Sequence, residues 1–283
     1  MQKLKSLFIS GYCTYLTVVT GFSFYSFSQT DSVAMALNGI LHFIGLSFFL
    51  GLFLGQPART SALLPKWTIP TVILGVTVAY QSLLEGSSLS IILATVAWLG
   101  WSLYLFWYSS FGGKGSSSLN IGQPLPEFTL FSPSGEMFSR TDLSSKPTLM
   151  IFYRGNWCPL CVAQVKEISK LYTQLNAMGV DVCLISPQPE ENTQALADRF
   201  KVPFKFLVDK DLKAAEALGI KADKGTPSGM EVLGYDSDTV RPTVLITDSK
   251  GVLVYSDLTD NYRVRPEPEA FIEVFEGMGL TSN

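Results

Sequence analysis

Four apolar stretches without a single Asp, Glu, Lys or Arg, at residues 7–27, 33–54, 68–84 and 89–111, fill most of the first 111 positions of this chain. Each is 17 to 23 residues long, against roughly 20 residues needed to cross ~30 Å of hydrocarbon at about 1.5 Å per residue. The pattern predicts an all-α four-helix transmembrane bundle over residues 1–112, with the lipid bilayer as its partner. A cleaved signal peptide is a poor reading of the first stretch. Its apolar core is too long, no small-residue cleavage site follows, and three more spans do.

Aromatic residues gather near the ends of the stretches, at Trp67, Trp107, Tyr108 and Phe111, where amphipathic rings favour the headgroup region. Lys3 and Lys5 precede the first span, Arg59 and Lys66 lie between the second and third, and Lys114 follows the fourth. The two other connections carry no basic residue. This asymmetry predicts a multi-pass protein of an inner or plasma membrane with both termini cytoplasmic.

Polar groups inside the spans are few. Asn38 and His42 are four residues apart, on one helix face, so they can bond each other or a neighbouring helix. A quinone or haem site is the sharper reading of His42, but a single His in the whole chain excludes a haem held by two. No cofactor is expected. Gly51 and Gly55 have the small-xxx-small spacing that permits close helix approach, and Cys13 reads as a small buried apolar group.

The remainder is a different material. It carries 17 basic against 22 acidic residues, and with an overall pI near 5.3 and no basic cluster a nucleic-acid partner is not expected. A Gly/Ser-rich run over 113–120 reads as a linker, and 121–283 as a separate domain. Candidate strands fall at 127–131, 148–153, 180–185, 204–208, 243–247 and 252–256. Helical periodicity runs from Cys161 to Leu175, and further helices fit 190–200, 212–218 and 268–277. The run Asp248-Ser-Lys-Gly251 reads as a hairpin turn, and 221–240 as an inserted loop near the site. This order of elements is that of an α/β thioredoxin-like fold, a central mixed sheet flanked by helices.

Between the second strand and the long helix stands Trp157-Cys158-Pro159-Leu160-Cys161. Residues three apart at a helix start are close enough for a disulfide, and a helix N-terminus lowers a thiol pKa by stabilising the anion. Pro159 suits the first turn, where its missing N–H costs nothing. Trp157 can shield the pair. Cys161 falls on the apolar stripe and is expected to be the more buried thiol, with Cys158 the more exposed. Half a zinc site is the alternative, but tetrahedral zinc needs about four ligands, and this domain has no His and only one further Cys, Cys183, which reads as core packing. No metal is expected.

Three segments carry a resemblance: Ile121-Gly-Gln-Pro-Leu-Pro-Glu-Phe-Thr-Leu130, Phe152-Tyr-Arg-Gly-Asn-Trp-Cys-Pro-Leu-Cys161 and Arg241-Pro-Thr-Val-Leu-Ile-Thr-Asp248. Through them residues 121–278 resemble the peroxiredoxin-like branch of the alkyl hydroperoxide reductase and thiol-specific antioxidant family, within the thioredoxin superfamily. The resemblance sets Cys161 on the peroxidatic position. It sets Cys158 where the family has a hydroxyl residue and Arg154 where it has a proline, so two of the three marks of its active-site motif are changed. It also implies an active-site role for Arg241 and a cis bond between Arg241 and Pro242.

Two mechanisms stay open at one site. In the first, the chain is a membrane-anchored peroxidase: Cys161 attacks a hydroperoxide, Cys158 closes a disulfide, and a thioredoxin- or glutaredoxin-like thiol reduces it. In the second, Cys158 attacks a protein disulfide and Cys161 resolves the mixed disulfide. A non-enzymatic redox sensor, with the membrane bundle as its output, is the third reading.

Overall fold

The computed structural model describes residues 2–111, 119–143, 145–258 and 260–281. Most of the expected linker, through residue 118, lies outside the described residues. The chain divides into two compact units, one of Leu4–Gln56 and Thr60–Ser110, the other chiefly Phe111–Asn283.

The first unit is built from α1 (Gln2–Thr30), α2 (Val33–Gly55), α3 (Pro65–Glu85) and α4 (Ser88–Leu103), the last continued by a wider turn over Tyr104–Tyr108. All four are long and apolar enough to cross a membrane, α4 when its continuation is included. Their ends follow local chemistry. Ser32 accepts a bond from the Met35 N–H at the start of α2, Pro65 opens α3, Gly86 closes it in the left-handed region, and Ser87 accepts from the Ser90 N–H to start α4.

Polar groups of the spans meet inside the bundle. His42 Nδ1 lies 2.8 Å from the Asn38 carbonyl and Nε2 lies 3.1 Å from the Tyr15 hydroxyl. Asn38 donates to the Ser90 carbonyl, and Ser82 donates to the Ser90 hydroxyl at 2.8 Å. Asn38 and His42 therefore bond each other through backbone, and neighbouring helices through side chains. Close helix approach occurs elsewhere than at Gly51 and Gly55, where an added Cβ would meet nothing within 4 Å. The tight positions are Gly39 against Phe24, Gly45 against Leu16, Gly75 against Trp98 and Gly100 against Tyr12. Within the bundle the helix crossings, not the small-xxx-small spacing, decide which glycines face a neighbour, and Gly51 and Gly55 are left for contact between copies.

The second unit holds a seven-stranded mixed sheet of β1 (Thr129–Phe131), β2 (Met137–Ser139), β3 (Thr148–Phe152), β4 (Asp181–Ser186), β5 (Lys205–Val208), β8 (Thr243–Thr247) and β9 (Leu253–Asp257), in the order β2-β1-β5-β4-β3-β8-β9. Strands β3, β4 and β5 run parallel, while β8 pairs with β3, and β9 with β8, antiparallel. The helices are α5 (Pro159–Lys170), α6 (Tyr172–Ala177), α7 (Glu190–Phe200), α8 (Lys213–Ala217) and α9 (Pro268–Gly277). This is the thioredoxin-like fold.

Every residue of β3 is buried, and alternate residues serve opposite faces. Met150 and Phe152 join Cys183, Ile185, Leu207, Leu245, the α8 residues Ala214 and Ala215, and Leu218 just after α8 in one core. Such fully buried side chains each stabilise the fold by about 1.5–3 kcal/mol when large. The expected single helix from Cys161 to Leu175 is instead two: Leu171 leaves helical geometry (ψ 4°), and α6 sets off to bury Leu175 and bring Tyr172 to within 5.8 Å of the Phe204 ring centroid. The 221–240 segment is closed at its base by β6 (Lys221–Ala222) pairing with β7 (Thr239–Val240).

Candidate active site

Strand β3 ends at Phe152, and the chain reaches α5 through Tyr153-Arg154-Gly155-Asn156-Trp157. Gly155 has φ +145°, and a Cβ there would lie 2.9 Å from Trp157 Nε1, so only glycine fits without strain. Gln188 ties this connection down: its carbonyl accepts from the Asn156 N–H at 2.8 Å, and its amide donates to the Tyr153 hydroxyl and the Asn156 side chain.

Cys158 is the N-cap residue of α5, with Pro159 in the first turn. Cys161 follows one turn on. The two Cα atoms are 5.2 Å apart and the sulfurs are bonded. Cys161 is fully buried, as its place on the apolar stripe requires, but Cys158 is only 2 % exposed. The expected order of the pair holds, with Cys161 the more buried, and a side chain from far along the sequence reaches both sulfurs.

That side chain is Arg265. Its Nη2 lies 3.3 Å from the Cys161 sulfur and 3.9 Å from the Cys158 sulfur. Gln164, buried on α5, accepts from Nη1 at 2.7 Å, and the Tyr262 carbonyl accepts from Nε at 3.1 Å. Burial, and then the positive charge of Arg154, pull the Arg265 pKa down to about 9, which leaves it cationic at neutral pH. Nothing in the sequence pattern singled it out. The available signals were a basic Arg-x-Arg-Pro run just before the N-terminus of α9, where the helix dipole disfavours cations, and a glutamine, Gln164, on the buried side of α5.

Arg154 is 7 % exposed and packs its guanidinium 4.6 Å from the Trp157 ring centroid and 5.8 Å from that of Tyr262. It donates to the Gly225 carbonyl, and the Thr239 hydroxyl donates to the Arg154 backbone carbonyl at 3.1 Å. The segment over 221–240 therefore does adjoin the site.

Register explains where Arg241 falls. Phe152 pairs with Thr243 across β3 and β8, so the residues preceding β8 run beside those following β3. The Arg241 guanidinium pairs with Asp260 at 2.6 Å, while the guanidinium within reach of the sulfurs is that of Arg265. The Arg241–Pro242 bond is trans, as no cis bond occurs among the described residues. The cis expectation is corrected: the chain continues extended from β7 into β8 with the Arg241 N–H donating to the Ile220 carbonyl at 2.8 Å, a path that the favoured trans form serves. Cys183 is fully buried in the core, and burial pushes its thiol up to about 12.

Residues 121–256 match the AhpC/TSA family. Over 136 residues the chain is 30% identical to a putative peroxiredoxin bcp of Coxiella burnetii, covering 48% of this chain and 86% of that protein. Over 119 residues it is 28% identical to the thiol-disulfide oxidoreductase ResA of Halalkalibacterium halodurans, covering 42% of this chain and 66% of that one. Among solved structures, reduced Prx3 in complex with hydrogen peroxide from Vibrio vulnificus superposes with a TM-score of 0.49 at 19% identity, over 56% of this chain and 99% of that chain.

Proposed function

Because the chain belongs to the AhpC/TSA family, and is an oxidoreductase by that membership, we propose that it is a membrane-anchored, thiol-dependent peroxidase working through Cys158 and Cys161. The observation that carries this reading is the buried Arg265 guanidinium 3.3 Å from the Cys161 sulfur. A cation there, joined to the N-terminal field of α5, favours the thiolate over the thiol. Placing the charge nearer Cys161 than Cys158 makes Cys161 the attacking sulfur.

The Cys161 thiolate attacks the terminal oxygen of the hydroperoxide, the O–O bond breaks, and the other oxygen leaves as an alcohol or water after taking a proton. Cys161 becomes a sulfenic acid. The Cys158 thiol attacks that sulfur, the S–S bond forms, and water departs. A thioredoxin- or glutaredoxin-like dithiol returns the two electrons. Pro159 opens the helix that carries both thiols, Gln164 holds Arg265, Arg154 packs on Trp157 and Tyr262, and Arg241, just before Pro242, shares its charge with Asp260. Burial of both sulfurs favours a small substrate over a folded protein.

Thiol-disulfide exchange on protein substrates is the second reading, favoured by the N-cap position of Cys158. The two part in one experiment on the full-length protein in detergent, treated with peroxide and with a protein disulfide. A sulfenic acid trapped on Cys161 in Cys158→Ser supports the peroxidase. A mixed disulfide held on Cys158 in Cys161→Ser, with no peroxide consumed, replaces it by exchange.

We read α1 to α4 as spans of an inner or plasma membrane with both termini and the redox unit cytoplasmic, on the strength of Lys3, Lys5, Arg59, Lys66 and Lys114. Single cysteines introduced near residues 61 and 114 of a chain lacking its own accessible thiols should react with a membrane-impermeant maleimide only from the cytoplasmic side. Labelling from the opposite side reverses the assignment.

A further inference from the structure

The redox unit takes in Pro57–Arg59, three residues from the connection between α2 and α3. Gln56 turns the chain there in the left-handed region (φ 42°), and Ala58 is buried. Arg59 meets two carboxylates at once. Its Nη1 and Nη2 donate to the two carboxylate oxygens of Glu167, the first at 3.4 Å, and Nη1 donates also to Glu267. Glu167 stands on α5 three residues after Gln164, so the two share a helix face. Glu267 is the N-cap residue of α9, two positions after Arg265. A ring of contacts closes as a result. Helix α5 holds the Arg265 side chain through Gln164 at 2.7 Å, and holds the backbone just beyond it through Glu167, Arg59 and Glu267.

We propose that Arg59 is a positioning residue for the dithiol: by tying Glu267 to Glu167 it keeps the segment that carries Arg265 on α5, and with it the guanidinium at the Cys161 sulfur. The role rests on Arg265 holding the Cys161 thiolate, as the peroxidase reading has it. Arg59 acts through Arg265 and takes no part in bond changes. An isolated surface ion pair would carry little weight, but this one is bidentate on Glu167, shared by three charges, and made by a side chain only 18 % exposed. Arg265 itself is held by neutral groups, Gln164 and the Leu160 and Tyr262 carbonyls. Its 3.3 Å contact with the Cys161 sulfur weakens steeply as distance and angle depart from the ideal, so a small swing of the 265–267 segment is felt at the thiol. A basic residue that the sequence marks only for orientation thus has a second task at the redox site.

Reduced full-length Cys158→Ser protein in neutral detergent micelles is alkylated with iodoacetamide between about pH 6 and 10, a range that brackets an ordinary thiol pKa. Labelling of Cys161 is followed on its peptide by mass spectrometry. Arg59→Ala is expected to slow labelling about threefold at pH 7, the scale of a networked surface pair, and to match its parent above about pH 9 to 10, where the thiol ionises unaided. Arg59→Lys, a point charge without a fork, should recover part of the rate. The double variant Glu167→Gln with Glu267→Gln separates a tie from a mere field. Loss of two nearby anions would by itself favour the thiolate and speed labelling, whereas loss of both anchors should slow it as Arg59→Ala does. Faster labelling in the double variant overturns the proposal, and so does a loss in Arg59→Ala that persists at high pH, the mark of altered folding or access. A native rate in Arg59→Ala beside a slow Arg265→Met removes this role alone, whereas native rates in both remove the Arg265 reading with it.

Discussion

Arg265 and Cys161 stand 104 positions apart in the sequence and 3.3 Å apart in the fold, with the guanidinium aimed at the sulfur. One end of the contact is set by the buried stripe of α5, the other by the short segment between β9 and α9. The Gln164 side chain on the same helix as Cys161 fixes the arginine in place.

Arg265→Met should raise the Cys161 thiol pKa by about 1 unit, the worth of one charged contact. Alkylation of the reduced Cys158→Ser protein by iodoacetamide at pH 7 should slow about tenfold. The gap should close above pH 9 to 10, where the thiol ionises without help. Arg265→Lys should fall between, having charge but no fork. Equal alkylation profiles for Met and native protein would remove Arg265 from the chemistry.

Gln164→Glu tests the neutrality of the arginine's partner. A carboxylate beside Arg265 compensates its charge and adds a negative one near the sulfurs, so the thiol pKa should rise although the hydrogen bond is kept. Thiolate absorbance at 240 nm against pH reads this directly. An unchanged or lowered pKa contradicts it.

Asp209 predicts a pH window for stability. It is fully buried and caps α8 by accepting from the Ala214 and Ala215 N–H groups at 2.8 Å each, yet burial pushes its pKa up to about 6. In the folded chain it therefore keeps a proton that the unfolded chain, with a pKa near ~3.9, has lost. This contribution to stability is fully present below about pH 4 and disappears as pH rises through about 6, amounting to about 3 kcal/mol at most. Urea midpoints of native protein and Asp209→Asn between pH 4 and 7 should differ in slope in that sense. Parallel curves would show that Asp209 titrates normally.

Gly155→Ala should destabilise the redox unit by about 1–3 kcal/mol, from a backbone that disfavours side chains and a Cβ set against Trp157. Trp157 emission should shift in the same variant, because the ring must move. Native emission with native stability would mean the turn adapts.

In the bundle, Gly100→Ala puts a methyl group into the ring of Tyr12, whose hydroxyl donates to the Ala97 carbonyl at 2.9 Å. Helices α1 and α4 must separate there, and thermal unfolding in detergent should drop by several degrees, while Gly51→Ala and Gly55→Ala leave it within about 1 °C, as expected of sites without close neighbours. A larger effect at Gly51 or Gly55 would reveal a contact with another molecule.

Much of this protein was legible locally. The helices at 190–200 and 268–277 and the strand at 243–247 were read from the sequence with the bounds they have in the fold, and all six expected strands are present. The dithiol sits where Pro159 and the apolar period said a helix would begin. What escaped were features without a local period: the short edge strand β2, the two-residue strands β6 and β7, the break at Leu171, and the trans path through Pro242.

Hydropathy and periodicity act within a turn or a strand's length, so residue order by itself determined four long apolar helices, a thioredoxin-like succession of elements and a cysteine pair at a helix start. Which cation meets the sulfurs was decided only by tertiary packing. Arg154, Arg241 and Arg265 are alike as residues; one is stacked between aromatic rings, one is paired with Asp260 and one is driven against Cys161. Burying a guanidinium is tolerable only where fixed dipoles surround it, and the places that provide them exist only once β3, β8 and α5 have come together.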